Sequence, residues 1–198
     1  MYAYRRMTPE QQKATVEVRR RRGFPLHKPP HPDLGRGWYF ITAATFEHRQ
    51  IFTAPRELTA LELRILEAVR DGGLACAGWV VMPNHYHILL ETENTAKVGK
   101  LVGPVHGRSS RYANIRDDAT GRQVWYKFTD RKIRSERHFW TCLHYIIMNP
   151  VKHRFAARVE EWSWSCFHEL RATHGAPWIE DLQREYPLRE FGRGWDDF

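Results

Sequence analysis

The stretch LACAGWVVMPNHYHILLE, residues 74–91, decides the fold because it is apolar on both sides of a short interruption. The interruption is the pair Pro83 and Asn84, residue types that favour tight turns and disfavour the interior of a sheet. Two strand-like runs separated by such a turn signal predict an antiparallel hairpin. The middle of the chain therefore supplies two adjacent strands, and the other elements are assigned outward from them.

The segments on either side of the hairpin alternate between strand and helix patterns. Residues 38–46, WYFITAATF, are aromatic and β-branched and predict a strand, and apolar residues at helical spacing predict a helix over 56–71. Residues 95–116 contain helical stretches whose first half is expected to be irregular, because glycines and a proline interrupt it. A short strand is predicted at 124–130. A final helix over 135–149 is expected to stop there, because the proline that follows disfavours helical geometry in the residue before it.

The order strand, helix, strand, strand, helix, strand, helix indicates an α+β fold. We expect a ferredoxin-like sandwich with a mainly antiparallel sheet and helices on one face. Residues 24–32 contain four prolines and predict an extended linker. The chain is therefore divided into a basic N-terminal arm at 1–36, a core domain at 37–172 and an acidic, aromatic C-terminal tail at 173–198.

Composition excludes several classes of protein. No apolar run approaches the roughly 20 residues that span a bilayer, and the N-terminus lacks a signal-peptide core, so a soluble cytoplasmic protein is expected. The three cysteines, Cys76, Cys142 and Cys166, are widely spaced and form no C-x-x-C pair. This spacing argues against a disulfide framework and a cysteine zinc site, and predicts buried reduced thiols.

The charge distribution favours nucleic acid as the partner. The formal net charge is +8, and a positive field attracts polyanions and releases counterions from phosphates. Residues 1–31 carry a net charge of +6, whereas residues 180–198 carry −3 and include Trp195 and Phe198. We expect the tail either to compete with nucleic acid for the basic site or to be an ordinary solvated extension.

His85 and His87 flank one residue on the second strand of the hairpin. Side chains two apart on a strand point to one face, so the two imidazoles converge and can hold a divalent ion. A purely structural H-x-H pair is the more common occurrence in a chain with 11 histidines. The pair therefore needs a second element before it indicates a metal site.

Tyr145 and Asn149 supply that element, because residues four apart are neighbours on one helical face. Thr141 lies one turn earlier on the same face, which is predicted to be the less apolar one. A packing role for Tyr145 remains an alternative, because aromatic residues are common on half-buried helices. Phosphoryl transfer needs a nucleophile and a cation that neutralises the phosphate oxygens, and a phenolate near a histidine-bound ion provides both. Two imidazoles and an Asn149 oxygen suit Mn²⁺ or Mg²⁺.

Three stretches together resemble the REP-associated tyrosine transposases, a branch of the HUH single-strand transposases. They are WVVMPNHYHILLE at 79–91, VWYKFTDRKIRSERHFWTCLHYIIMNPVKHR at 124–154 and WSWSCFHEL at 162–170. An H-hydrophobe-H strand after M-P-N, followed by a helix with Y-I-x-x-N-P-V-K-H, is a specific combination. The resemblance covers much of residues 38–170 and identifies 37–172 as an HUH-type catalytic domain.

The resemblance implies a ferredoxin-like fold in which His85, His87 and Asn149 bind a divalent ion and Tyr145 is the nucleophile. Its implied substrates are short palindromic repeats that fold into hairpins, and its implied product is a 5′-phosphotyrosine with a free 3′-hydroxyl. Tyr86 departs from the family, which has a bulky aliphatic residue there. We expect Tyr86 to point away from the metal, toward the core side of the sheet. Whether the chain is a monomer or a dimer is left open.

Single-strand recognition is expected to combine basic groups along the phosphates with aromatic faces under the bases. Such groups occur in the arm, after the hairpin and before the last strand. The candidates are Arg19, Arg20, Arg21, Arg22, Lys97, Arg108, Arg111, Trp125 and Tyr126. Each has an alternative as a solvated charge or a core aromatic.

Two other functions remain as alternatives. A sheet of this kind can bind single-stranded nucleic acid without cutting it, and a domesticated transposase that has lost activity would belong to this class. A metal-dependent hydrolase would use water in place of a tyrosine. A covalent protein–DNA adduct distinguishes nicking through tyrosine from both alternatives.

Overall fold

A computed structural model of the chain describes residues 7–21 and 34–192. The predicted linker at 24–32 and residues 193–198 lie outside these ranges. In the described part, a four-stranded sheet is formed by antiparallel pairs in the order β2-β3-β1-β4. The strands are β1 (Gly37–Ala44), β2 (Ala75–Met82), β3 (His85–Thr92) and β4 (Thr129–Lys132).

Helices precede, connect and follow these strands. They are α1 (Pro9–Arg21), α2 (Pro55–Asp71), α3 (Thr95–Arg116), α4 (Glu136–Lys152), α5 (Phe167–His174) and α6 (Ala176–Glu185). From β1 to β4 the order is β-α-β-β-α-β, which with this strand order is the ferredoxin-like arrangement. The predicted α+β fold with a mainly antiparallel sheet is confirmed.

The sheet carries helices on both faces. The α2 and α3 helices pack together on one face, where the Tyr86 hydroxyl lies 2.9 Å from His106 Nε2 of α3. On the other face, Gly78 of β2 lies beneath Leu143 of α4. The prediction of helices on one face therefore holds for α2 and α3, and α4 adds a layer on the opposite face.

The α3 helix is continuous, so the irregular first half expected for this segment is wrong. The Asn94 side chain caps its N-terminus by accepting from the Lys97 amide at 3.1 Å. Burial of apolar side chains offsets the cost of Pro104, which is about 3 kcal/mol in a helix interior. The buried side chains near Pro104 are Val98, Leu101, Val102 and Val105.

The strand and helix predicted near the end of the core domain have shifted boundaries. Only residues 129–132 form β4, and Trp125 makes an isolated bridge to Thr45. The α4 helix does not stop at Asn149 but continues through Pro150 to Lys152. Because Asn149 and Pro150 are both buried, tertiary packing overrides the local preference.

The boundary predicted at residue 172 falls within α5, and the tail begins as an ordered part of the fold. Its helix α6 buries Ile179 and Leu182. All three cysteines are free thiols, and burial raises the pKa of Cys142 and Cys166 to about 12. Within the two described ranges, no helix has the length and apolar character needed to cross a bilayer.

Gly78 provides a test of the packing between the sheet and α4. A Cβ on Gly78 would lie 2.5 Å from Leu143 Cδ1 and 3.2 Å from Cys166 Sγ. We predict that Gly78→Ala lowers the free energy of unfolding by about 1–3 kcal/mol, measured in urea, because the buried Leu143 side chain must leave its packed position.

The control is Gly99→Ala in α3, where an added Cβ meets no atom within 4 Å. This change should stabilise the chain by about 0.5–1 kcal/mol, because alanine is the better helix former. Equal stability of the Gly78→Ala variant and the wild type would contradict the packing described for α4.

Candidate active site

The central strand β3 positions His85 and His87. It lies between β1 and β2, and His85 is opposite Ala44 of β1 while His87 is opposite Thr42. Both histidine side chains are fully buried and point to the face covered by α4, with ring centroids 5.1 Å apart. The two imidazoles therefore share a face, as their spacing predicts.

A chain of hydrogen bonds orients His85. Asn84 Nδ2 donates to the His48 carbonyl at 3.2 Å, which turns Asn84 Oδ1 toward His85 Nδ1 at 2.7 Å. An amide oxygen can only accept, so His85 Nδ1 carries a proton, and in the neutral imidazole Nε2 then presents its lone pair. Asn84 thus acts on the site, although the sequence pattern indicated only a turn residue.

The lone pair of His85 Nε2 faces Asn149 Oδ1 at 2.9 Å. Two acceptors at this distance repel each other unless a cation lies beside them. Ligands about 2.1 Å from a metal ion and at right angles to each other are about 3.0 Å apart. The spacing of these two atoms therefore fits neighbouring ligands of a divalent ion.

His87 is held by β1 and contributes the second imidazole. Its Nδ1 lies 2.9 Å from Thr42 Oγ1, and its ring stacks on Phe40 at 5.0 Å. In the described ranges, no group of three or more His, Cys, Asp or Glu side chains could hold a metal ion. A site built on the histidine pair thus needs an oxygen of another kind, which the Asn149 amide can provide.

Tyr145 lies one helical turn before Asn149 and packs against the histidine pair. Its ring centroid is 5.5 Å from that of His87 and 6.0 Å from that of Phe40. The side chain is 0% exposed, so the helical face expected to be less apolar is in fact covered. The predicted nucleophile and the predicted metal ligands are nevertheless brought together.

Tail residues 186–192 cover Tyr145 and its helical face. The Tyr186 carbonyl lies 2.8 Å from His144 Nδ1 of α4, and the Phe191 ring lies 5.6 Å from that of Tyr145. Gly192, with φ +77°, lies so close that an added Cβ would be 2.7 Å from Tyr145 Cζ. The predicted aromatic residues at 195 and 198 lie outside the described ranges.

Two residues beyond the predicted end of α4 also reach the site. Lys152 Nζ donates to Tyr145 Oη at 2.9 Å, and the His153 ring lies 4.8 Å from that of His85. Both belong to the N-P-V-K-H motif, which was the available signal. Because the helix was expected to end before Pro150, neither residue was predicted to lie at the site.

Tyr86 projects from the opposite face of β3, away from the histidine pair, as expected. Its hydroxyl lies 2.9 Å from His106 Nε2, and burial lowers the pKa of His106 to about 3. Burial also raises the pKa of Tyr86, so the neutral phenol donates to the neutral imidazole. This hydrogen bond ties β3 to α3.

The basic residues predicted in the arm lie on α1. Arg20 and Arg21 are exposed and pair with Glu17 at 3.0 and 3.1 Å, contacts that contribute little to stability. Arg19 is only 9% exposed. Arg22 lies outside the described ranges. Contact of these residues with nucleic acid stays a prediction.

The basic residues predicted after the hairpin lie on α3. Lys97 and Arg108 line one cavity of about 470 Å³ between α2 and α3, together with Lys100. Arg111 is exposed on the same helix. Three of these four cations therefore share one concave surface, which also carries Glu67 and Asp71.

Trp125 and Tyr126 line a second groove, of about 750 Å³, beside α3. Trp125 is 7% exposed and donates its indole N–H to Ser109 Oγ at 3.0 Å, so the structure gives it a packing role. The Tyr126 ring is partly exposed and lies 5.8 Å from the ring of His48. Tyr126 is thus linked to the histidine pair only indirectly, through His48 and Asn84.

Comparisons with known proteins bear on the family and the fold of the chain. The model of the transposase IS200-like family matches residues 36–147, a range that contains both histidines and Tyr145. A REP-associated tyrosine transposase from Escherichia coli (strain K12) is 26% identical over 155 residues, which cover 75% of this chain and 87% of the relative. A solved structure of a REP-associated tyrosine transposase bound to a REP hairpin superposes with a TM-score of 0.56 at 21% identity. That superposition covers 75% of this chain and 86% of the other, and it supports the fold.

The orienting role of Asn84 can be tested by metal binding. We predict that Asn84→Ala lowers Mn²⁺ affinity about 10- to 100-fold, measured by calorimetric titration, because His85 Nδ1–H loses its acceptor. Asn84→Asp keeps an acceptor at this position and should stay within a few-fold of the wild type. Equal affinities for the wild type and the Ala variant would exclude this role.

Proposed function

Because the chain belongs to the IS200-like transposase family, we propose that it is a metal-dependent enzyme that nicks and rejoins single-stranded DNA through Tyr145. Nicking leaves a 5′-phosphotyrosine and a free 3′-hydroxyl, which conserves the bond energy for rejoining. His85, His87 and Asn149 are proposed to hold Mg²⁺ or Mn²⁺.

One observation carries the proposal. The ring centroids of Tyr145 and His87 lie 5.5 Å apart, and Asn149 Oδ1 lies 2.9 Å from His85 Nε2. Asn149 and His85 are 64 residues apart along the chain. Packing roles alone for the two histidines and Tyr145 would not require His85 Nε2 and Asn149 Oδ1 to point at each other beside the phenol ring. A metal-assisted phosphoryl transfer requires this meeting.

The residues of the chain have separate roles in the proposed reaction. Bound at the histidine pair, the divalent ion would neutralise charge on the scissile phosphate. Tyr145 Oη bonds to the phosphorus as the bond to the 3′-oxygen breaks; the phenol gives up its proton to solvent and the 3′-oxygen takes one up. Asn84 and Thr42 hold the two imidazole rings in place through contacts with the Nδ1 atoms of His85 and His87.

The proposed substrate is single-stranded DNA that folds into imperfect-palindrome hairpins. The relative of known structure is described as bound to a REP hairpin, which supports a substrate of this kind. We propose that Tyr126 contacts bases and that Lys97, Arg108 and Arg111 contact phosphates. A protein that binds such hairpins without cutting them remains the rival function, favoured by the full burial of Tyr145.

The nucleophile is tested by Tyr145→Phe. We predict that this variant folds and binds hairpin DNA like the wild type but forms no nicked product, because the ring is kept and the attacking oxygen is removed. Denaturing gels with end-labelled DNA and Mn²⁺ measure the nicking. Tyr112→Phe, an exposed tyrosine on α3, is the matched control and should nick normally.

Robust nicking by Tyr145→Phe would contradict the proposal. Tight hairpin binding by a wild-type chain that never nicks would support the rival binding function.

The covering role of the tail is tested at Gly192. We predict that Gly192→Ala speeds nicking about tenfold, because strain of about 1–2 kcal/mol at a positive φ pushes the tail off Tyr145. Deleting 180–198 is less suitable, since it removes the buried Leu182. Gly121→Ala, at φ +85° and with open space around it, carries similar strain away from the site. Nicking at the wild-type rate by both variants would show that the tail does not limit access.

A further inference from the structure

Three polar side chains follow one another along a single face of α4. Tyr145, Asn149 and Lys152 are spaced by four and three residues, which keeps them on one side of the helix. Lys152 Nζ lies 2.9 Å from Tyr145 Oη and 4.7 Å from the centroid of the phenol ring. The ammonium also donates to the Gly192 carbonyl at 3.2 Å.

The other neighbours of the phenol come from three elements. The Phe40 ring of β1, the His87 ring of β3 and the Phe191 ring of the tail each lie within 6.0 Å of the Tyr145 ring, centroid to centroid. These contacts surround the ring, whereas Lys152 contacts the oxygen. The lysine therefore touches the atom that reacts.

We propose that Lys152 is a catalytic residue that holds Tyr145 Oη in place and stabilises the negative charge it carries during attack. This assignment rests on the proposed function of Tyr145. A charge-assisted hydrogen bond is roughly twice as strong as a neutral one, and it gains strength as the oxygen becomes negative. Because this bond strengthens as negative charge develops on Oη, the ammonium favours the transition state over the starting state.

The same contact acts in both directions of the reaction. In nicking, the Oη–P bond forms, the bond between phosphorus and the 3′-oxygen breaks, and the phenol proton passes to solvent. In rejoining, the 3′-hydroxyl attacks, its proton passes to solvent, and Oη leaves and regains a proton. Oη carries its negative charge only while bonds form and break, so Lys152 should speed both steps.

The test is Lys152→Gln in the full-length chain, with single-turnover nicking and rejoining measured at saturating hairpin DNA and Mn²⁺. We expect both rates to fall by about 100-fold. Lys152→Arg keeps the charge and a donor and should recover at least a tenth of the wild-type rate. Lys100→Gln removes an exposed lysine of α3 and shows how much of any decrease in rate comes from weaker DNA binding after loss of one positive charge.

The contact between Lys152 and Gly192 requires one further comparison. The substitution of Lys152 removes this contact and loosens the tail. A looser tail would raise the nicking rate and so mask part of the decrease in rate. Lys152→Gln is therefore also compared in the Gly192→Ala background, where the loss should be as large or larger.

The possible outcomes separate this inference from the function on which it rests. If Lys152→Gln leaves the rate of each background unchanged, the role of Lys152 is overturned, while the Tyr145 adduct would still form. A loss that vanishes at saturating DNA, or an equally slow Arg variant, would assign Lys152 to DNA binding or to structure. Absence of any adduct in the wild type would overturn the proposed function itself.

Discussion

The contact between His85 Nε2 and Asn149 Oδ1, buried and 2.9 Å long, is the constraint on which the rest of the site depends. It joins the central strand to α4 and so fixes the rotation of the helix about its axis. Once Asn149 faces His85, helical geometry carries Tyr145 over His87 one turn earlier and Lys152 toward the phenol oxygen at the end of the helix. Because two acceptors at this distance repel each other unless a cation lies beside them, a divalent ion bound there would hold this alignment.

Local periodicity was sufficient to predict the parts of the fold and site that depend on neighbouring residues. The order of elements, the shared face of His85 and His87, and the one-turn spacing of Tyr145 and Asn149 all follow from strand and helix geometry. The α4 end was misplaced because a local rule about proline was outweighed by burial of Asn149 and Pro150. Lys152 and His153 lie beyond the predicted helix end, so they were not predicted as site residues.

Other features could not be predicted because they arise between distant segments. The orientation of Asn84 depends on the His48 carbonyl, which lies 36 residues away. The burial of Tyr145 depends on Gly192, which is brought to α4 only by the path of the tail. Such contacts leave no periodic trace in the sequence. Together they produce a closed site, with the proposed nucleophile covered and its oxygen bonded to a lysine, that must open before DNA can reach it.

The most direct test of this account is to identify the residue joined to DNA in the wild-type chain. A hairpin substrate that releases the fragment ending in the free 3′-hydroxyl on nicking traps the covalent intermediate, and mass spectrometry of the digested adduct then locates the phosphate. The account predicts one modified peptide, with the 5′-phosphate on Tyr145 and formed only when Mn²⁺ or Mg²⁺ is present. An adduct on Tyr86, Tyr112 or Tyr126, or one formed equally well without metal, would contradict it.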